Sequence, residues 1–378
     1  MTLNELGWND RLERDFADSE LQGLAAARVV REDRGSYVVY AAIASAVEAG
    51  RNATSPGNLP CRAARAIVRG ALRHRAASRS DFPAVGDWVA VRRNPGDGPG
   101  SPAVIHGILP RGSAIIRKSP GTGSDEQLVA ANVDTLLICC GLDGDFNPRR
   151  IERYLTLSYG SGTSPVVVLT KADICPDADE RVAEIESIAI GAPVIRVGWT
   201  DESGVEAVRR LIPPGTTAAL VGSSGVGKST LINRLLRREA MATGAVRSSD
   251  QRGRHTTTHR QLLLLPGGGV MIDTPGLREL QLWADAADLG SSFADIDEFA
   301  ANCRFRDCTH NGEPGCGVRA ALDRGDLDAD RYESFRKLER EIRFQERKSD
   351  KAAAAAEKAR WKIIHKSAQK WMKEKYRY

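Results

Sequence analysis

The sequence predicts a multidomain protein: an N-terminal β-barrel, an α/β domain with a phosphate-binding loop, and a C-terminal metal-binding helical domain. Three observations carry this reading. Between about residues 24 and 118, short apolar runs alternate with Gly/Pro punctuation and no long helical period intervenes. From about residue 128, strand-like and helix-like stretches take turns, which marks a parallel, doubly wound sheet. Near the C-terminal end, three cysteines and a histidine fall within fourteen residues, 303–316.

Composition narrows the class. The 378 residues are 42% hydrophobic and 27% charged, a globular balance. No apolar stretch reaches the roughly 18–20 residues that span a bilayer. The start, "MTLNELGWNDRLERDF", lacks the apolar core of a signal peptide. A cytoplasmic protein without membrane contact is therefore expected, with seven cysteines serving as thiols or metal ligands rather than disulfides. The net charge of +5 is unevenly placed: residues 347–378 hold eleven Lys/Arg against three acids. Such a concentration at one end points to a polyanionic partner.

Taken in order, residues 1–20 read as a polar extension. Residues 21–125 form the barrel, from "ARVVRED", "SYVVYAAIA", "RAIVRGALR", "VGDWVAVRR", "AVIHGILP" and "AIIRKS". "SPGTGSDEQ" (119–127) is a loop. The α/β domain takes 126–295. "NVDTLLICC", "SPVVVLTKAD" and "APVIRVG" are its first strands; "NPRRIERYLTLSY", "DERVAEIESIAI" and "SGVEAVRRLI" are the helices between and after them. A metal-binding domain spans 296–346, and a basic tail spans 347–378.

The α/β domain carries the chemistry. Gly222-Ser223-Ser224-Gly225-Val226-Gly227-Lys228-Ser229-Thr230 follows the strand-like "TTAALV" and opens the helical "TLINRLL". This is a phosphate loop: its glycines turn backbone N–H groups inward, and the helix presents its positive end. Lys228 should reach the outer phosphates, and Ser229 should hold Mg²⁺. In "VMIDTPG", Asp273 can hold Mg²⁺ through water and the Gly276 N–H can meet a γ-phosphate. Between them "SSDQRGRHTTTHRQL" (248–262) reads as an irregular switch loop, with Thr256 and Thr257 as candidates to complete the Mg²⁺ shell.

Thr170-Lys171-Ala172-Asp173 ends a strand upstream of the phosphate loop. Asp173 can accept both guanine N1–H and the exocyclic amine, which adenine cannot offer together, and Lys171 can lie along the base plane. "VIRVG" (194–198) falls where a second base-contacting loop belongs. The order is base reader, second base loop, phosphate loop, first switch, second switch: a circular permutation, which surface chain ends allow. GTP and GDP are the ligands this arrangement fits.

Cys303-x4-Cys308-x-His310-x5-Cys316 offers a closed Cys₃His set for one structural Zn²⁺. Cys139 and Cys140, in a strand, read as ordinary buried thiols. After the metal set, "DADRYESFRKLEREIRFQER" spaces Tyr332, Phe335, Leu338 and Ile342 as an amphipathic helix. In the tail, Lys358, Lys362, Lys366 and Lys370 form a ridge beside Trp361, Ile364, Ala368 and Trp371. Lysines on phosphates and tryptophans on unpaired bases make an RNA-binding face.

The stretches "VGDWVAV", "TKAD", "GSSGVGKST", "GRHTTT", "DTPG" and "CRFRDCTHNGEPGC" together resemble the circularly permuted GTPases of small-ribosomal-subunit biogenesis, over about residues 24–345. The resemblance implies an OB-fold barrel, a permuted GTPase domain and a zinc domain. It also implies GTP hydrolysis stimulated by the small ribosomal subunit during late maturation, with 16S-type rRNA as the contact. A monomer is expected. Arg62, Arg65, Arg69, Arg73, His74 and Arg75 would give the barrel a second RNA surface. Two stretches depart from the family pattern. Thr170 stands where Asn is usual, and "VGW" (197–199) replaces Ser-Ala. Leu277 follows "DTPG" where Ras-like enzymes place a water-positioning Gln. Leu cannot orient water, so His255 is the candidate for that role, grouped with Thr257 as catalytic. The rival expectation is an RNA-binding assembly factor with a mainly structural nucleotide site. A P-loop ATPase or kinase disagrees with Asp173.

Overall fold

The computed structural model describes residues 1–19, 21, 23–33, 35–43, 55–76, 78–93, 101–118, 126–238, 260–273 and 293–343. They divide into two compact units, the first running to Asp273 and the second from Phe293 to Arg343.

The first unit begins with the barrel strands β1 (Ala25–Asp33), β2 (Ser36–Ala42), β3 (Cys61–Val68), β4 (Trp88–Arg92) and β5 (Ala103–Ile108). They pair in the order β1-β2-β3-β5-β4, and β4 returns to β1 to close the ring. Only the β3–β5 pair is parallel within the ring. Val29, Val39, Ala66, Val89 and Ile105 fill its interior at 0% exposure. They alternate with outward side chains, as the two-residue period of a strand requires. The sixth apolar run forms β6 (Ala114–Lys118), which pairs with β7 (Glu126–Ala131) and not with the ring.

Residues 1–20 are more than a polar extension. Leu3, Leu6, Trp8 and Leu12 are buried. Asn9 caps the helix Asp10–Ala17 by accepting from the Leu12 N–H. The Trp8 ring meets Trp88 edge-on at 5.1 Å, while its N–H donates to Glu13 Oε2 at 2.6 Å. Charges on one side of the helix hide an apolar face on the other.

The α/β layer adds β8 (Thr135–Gly141), β9 (Ser164–Thr170), β10 (Val194–Arg196), β11 (Thr217–Val221), β12 (Arg260–Leu264) and β13 (Val270–Asp273). Its order is β10-β9-β8-β11-β13-β12, parallel except for β12. Every residue of β8 and β11 is buried, the mark of a central strand covered on both faces. Helices Pro148–Gly160, Ala178–Ile188, Ser203–Arg210 and Lys228–Leu236 fall where the 3.6-residue period puts them.

β12 corrects the expectation of irregular chain through Leu262. It forms because both of its edges find partners: β13 on one side, and β1 of the barrel on the other. The β1 pairing aligns Arg31 with Gln261 and Glu32 with Arg260, so ring and layer make one eleven-stranded sheet.

The second unit holds helices Ala294–Ala300, Gly317–Arg324 and 329–343. Leu338 and Ile342 are buried at the predicted spacing, and Phe335 meets Phe293 at 5.5 Å. Arg331 closes this core by pairing with both oxygens of Asp295 at 2.7 Å.

Candidate nucleotide site and metal centre

β11 leads straight into residues 222–227, and the helix Lys228–Leu236 leaves them. Gly222 at φ 141° and Gly227 at φ 96° hold conformations that side chains rarely adopt. A Cβ on Gly222 would press into the Cys139 carbonyl of β8, so strand and loop meet with no room to spare. Lys228 Nζ donates to the Gly222 carbonyl at 2.7 Å and to that of Ser223, folding over its own loop. Ser229 and Thr230 follow in the first helical turn, at the positive end of the helix dipole.

The base-reading candidates sit at the same edge of the sheet. In the order β9-β8-β11, the carboxyl ends of β9 and β11 lie one strand apart. That edge is where ligands bind in open parallel sheets. Thr170 is fully buried, and its hydroxyl donates to the Val226 carbonyl of the loop at 2.6 Å. The unusual Thr therefore ties base reader to phosphate loop. Lys171 follows in the left-handed region at φ 61°, which turns the chain so that Ala172 and Asp173 begin a short 3-10 helix. Asp173 Oδ1 accepts the Trp199 N–H at 3.1 Å, and Gly198 packs against the same side chain. Ala172, Asp173, Gly198 and Thr200 contribute to a pocket of about 210 Å³.

Two acids that sequence reasoning missed brace this edge. Asp143 takes the Lys171 ammonium at 2.5 Å. Partial burial disfavours its charge, but the hydrogen bond from Lys171 and the Asp145 N–H hold its carboxyl below the usual carboxylate range. Asp145 accepts the Ser223 hydroxyl of the phosphate loop and pairs with Arg150 at 2.9 Å. The signal was in the sequence: "GLDGDFN" directly follows a buried parallel strand, and such loops line the site in this architecture. Asp273 ends β13, whose pairing of Ile272 with Ala219 sets it level with the end of β11. His255, Thr256, Thr257 and Gly276 lie outside the described residues, as do Leu277 and the tail 347–378.

In the second unit, the ligand atoms of Cys303, Cys308, His310 and Cys316 all lie within 4.8 Å of one another. Cys303 and Cys316 sulfurs are 4.0 Å apart, too far for a disulfide. His310 Nδ1 is 3.5 Å from Cys303 Sγ and 3.4 Å from Cys316 Sγ. Zn–S bonds of about 2.3 Å and Zn–N bonds of about 2.0–2.1 Å give tetrahedral edges near 3.5–3.8 Å, so the donor set fits zinc in size and chemistry. Backbone N–H groups of Gly317 and Arg319 donate to the Cys303 and Cys316 sulfurs at 3.3 and 3.4 Å, which orients both sulfurs within the cluster. Helix 329–343 grips the loop from behind: Arg336 donates to the Thr309 carbonyl at 2.9 Å and to Asn311 Oδ1 at 3.0 Å.

Fold and site together define a P-loop GTPase domain in circularly permuted order, joined to an OB-type barrel and followed by a Cys₃His helical module. Comparison with known proteins agrees. Residues 108–283 match the family described as RsgA GTPase. The chain is 45% identical over 371 residues to the small ribosomal subunit biogenesis GTPase RsgA of Opitutus terrae, covering 97% of this chain and 96% of that one. Among solved structures it is similar to YjeQ from Thermotoga maritima, at 25% identity and a TM-score of 0.60, covering 84% of this chain and 98% of that one. It shares its fold with YloQ, a circularly permuted GTPase, at 20% identity and a TM-score of 0.59, covering 86% and 97%. The chain belongs to the RsgA family of small ribosomal subunit biogenesis GTPases.

Proposed function

We propose that this protein binds the small ribosomal subunit and hydrolyses GTP to GDP and phosphate during late subunit maturation, with hydrolysis as its release step. The observation that carries the reading is the Thr170–Val226 hydrogen bond, which keys the strand ending in Asp173 to the loop ending in Lys228. Asp173 accepts the N1–H and amine of guanine. Lys171 lies along the base, and Thr170 and Ala172 shape the turn between them. Gly222, Ser223, Ser224, Gly225, Val226 and Gly227 wrap the phosphates with backbone N–H groups, and Thr230 adds its N–H from the helix. Lys228 leaves its two carbonyls for the outer phosphates. Ser229 and Asp273 would hold Mg²⁺, which supplies charge neutralisation along the phosphate chain. Thr256 and Gly276 would meet the γ-phosphate side, with His255 and Thr257 acting on the attacking water.

Cys303, Cys308, His310 and Cys316 hold one structural Zn²⁺. The partner is 16S-type rRNA, met by the basic tail and by Arg62, Arg65, Arg69, Arg73, His74 and Arg75 of the barrel. In this reading the protein is a cytoplasmic monomer on the small subunit; the names of relatives support the ribosomal association. Phosphate release from GTP, with and without small subunits and with ATP as control, tests the whole reading. Turnover of GTP alone, rising on addition of subunits, is expected. No turnover under any condition would leave only an RNA-binding factor, and equal turnover of ATP would leave a P-loop NTPase without guanine selection.

A further inference from the structure

Trp199 closes the stretch "VGW" (197–199), and the structure gives each part of it a contact. Its peptide N–H donates to Asp173 Oδ1 at 3.1 Å. Its carbonyl accepts from Arg234 of the helix Lys228–Leu236 at 2.8 Å, and Arg234 is held in turn by Glu202. Its indole lies on the phosphate loop: a Cβ built on Gly227 would come within 2.7 Å of Trp199 Cζ2. The ring also packs against the apolar cluster beneath the sheet. Gly227 has φ 96° and sits at the N-cap of that helix, so loop, helix and indole meet at one residue.

A carboxylate distinguishes guanine only if its plane faces the N1–H and the amine together. Asp173 is on a short 3-10 turn, exposed enough to rotate unless something holds it. One oxygen has two lone pairs, so Oδ1 can accept the Trp199 N–H and still serve the base. The direction of that N–H is set by how residue 199 is seated. A bulky ring wedged on Gly227 and a carbonyl tied to Arg234 fix the seat at two further points. We propose that Trp199 is a positioning residue for guanine selection: its indole, seated on the phosphate loop, fixes the peptide N–H that aims Asp173. This rests on the guanine-nucleotide reading above and extends it to a residue that touches no nucleotide atom in the argument. It couples the two halves of the site, since a shift of Gly227 moves the ring that aims the carboxylate.

The test compares GDP with inosine diphosphate, which keeps the N1–H but lacks the exocyclic amine. Losing one hydrogen bond to a carboxylate is worth about 1.5–3 kcal/mol, so the wild-type protein should prefer GDP by about 10- to 150-fold. Calorimetric titration of the full chain with each nucleotide and Mg²⁺ gives both dissociation constants. In W199A the preference should fall at least fivefold, because GDP loses both contacts to Asp173 where inosine diphosphate has only one to lose. W199F, which still fills the seat, should restore most of the preference. Melting curves and zinc content of both variants show whether they are folded. Equal weakening toward both nucleotides would mean the ring only supports the phosphate loop, and would overturn the inference. So would an unchanged preference in W199A, or a W199F that behaves like W199A. A wild-type protein without preference for GDP would instead bring down the reading of Asp173 itself.

Discussion

Single atoms decide how the two halves of the nucleotide site are joined. The Thr170 hydroxyl supplies the buried link to Val226, at 2.6 Å. Replacing it by Val keeps the shape and removes the donor, leaving a buried carbonyl without that partner, a loss worth about 1–3 kcal/mol. T170V should therefore melt several degrees lower and bind GDP more weakly, whereas T170S should keep both properties. Equal behaviour of the two variants in thermal melts would refute the link. Cys139 makes a second test. Burial under the loop pushes its thiol up to about 12, with Lys228 pulling weakly the other way. At pH 8 only about one molecule in ten thousand carries that thiolate, and the thiolate is the reactive form. Native protein treated with iodoacetamide and mapped by mass spectrometry should show the partly exposed Cys175 modified and Cys139 untouched.

Elements were legible where one period dominates. β8, β9 and the helix between them follow from apolar runs and 3.6-residue spacing, because a doubly covered sheet leaves no position ambiguous. β12 was not, since "RQLLLL" begins inside a polar stretch and becomes a strand through pairing with β1 and β13. The N-terminal helix was missed for a related reason: four apolar residues scattered among charges find their core only in three dimensions. Motif spacing singled out the candidate phosphate loop, base reader and metal set, but not the braces Asp143 and Asp145, which act through other side chains. The same indirect action is expected at the metal loop. Arg336 reaches it from helix 329–343 without touching a ligand atom. Groups that orient metal ligands typically change affinity by about 10- to 100-fold. R336A should release zinc to a chelator in that proportion faster, with one zinc per chain still bound at the start. Release at the wild-type rate would reduce Arg336 to a surface contact.

At the scale of the whole chain, the first unit turns on one interior cation. Arg28 of β1 is 1% exposed. It donates to the Leu6 carbonyl of the N-terminal segment, to Gly86 and Asn132 carbonyls at 3.3 Å, and to Thr217 Oγ1 of β11 at 2.9 Å. Its guanidinium also lies over the Trp88 ring at 5.1 Å. N-terminal segment, barrel, the turn after β7 and the central strand of the α/β layer thus share one side chain. R28A strips the donor from all four and leaves a void, a loss on the order of 4 kcal/mol. For a unit of this size that corresponds to about 10 °C in melting temperature. Burial works against the guanidinium charge and Asp134 and Asp87 favour it, and a guanidinium keeps its proton in folded and unfolded chain alike. Between pH 6 and 9 both states stay protonated, so the deficit of R28A should be flat. Scanning calorimetry of the zinc-loaded protein resolves this. Barrel and α/β layer should melt as one transition, because β1–β12 pairing and Arg28 join them, with the metal-bound unit as a second. R28A should lower the first by about 10 °C at every pH from 6 to 9 and leave the second in place. Separate melting of barrel and α/β layer in the wild type would show that the seam does not bind them into one cooperative body.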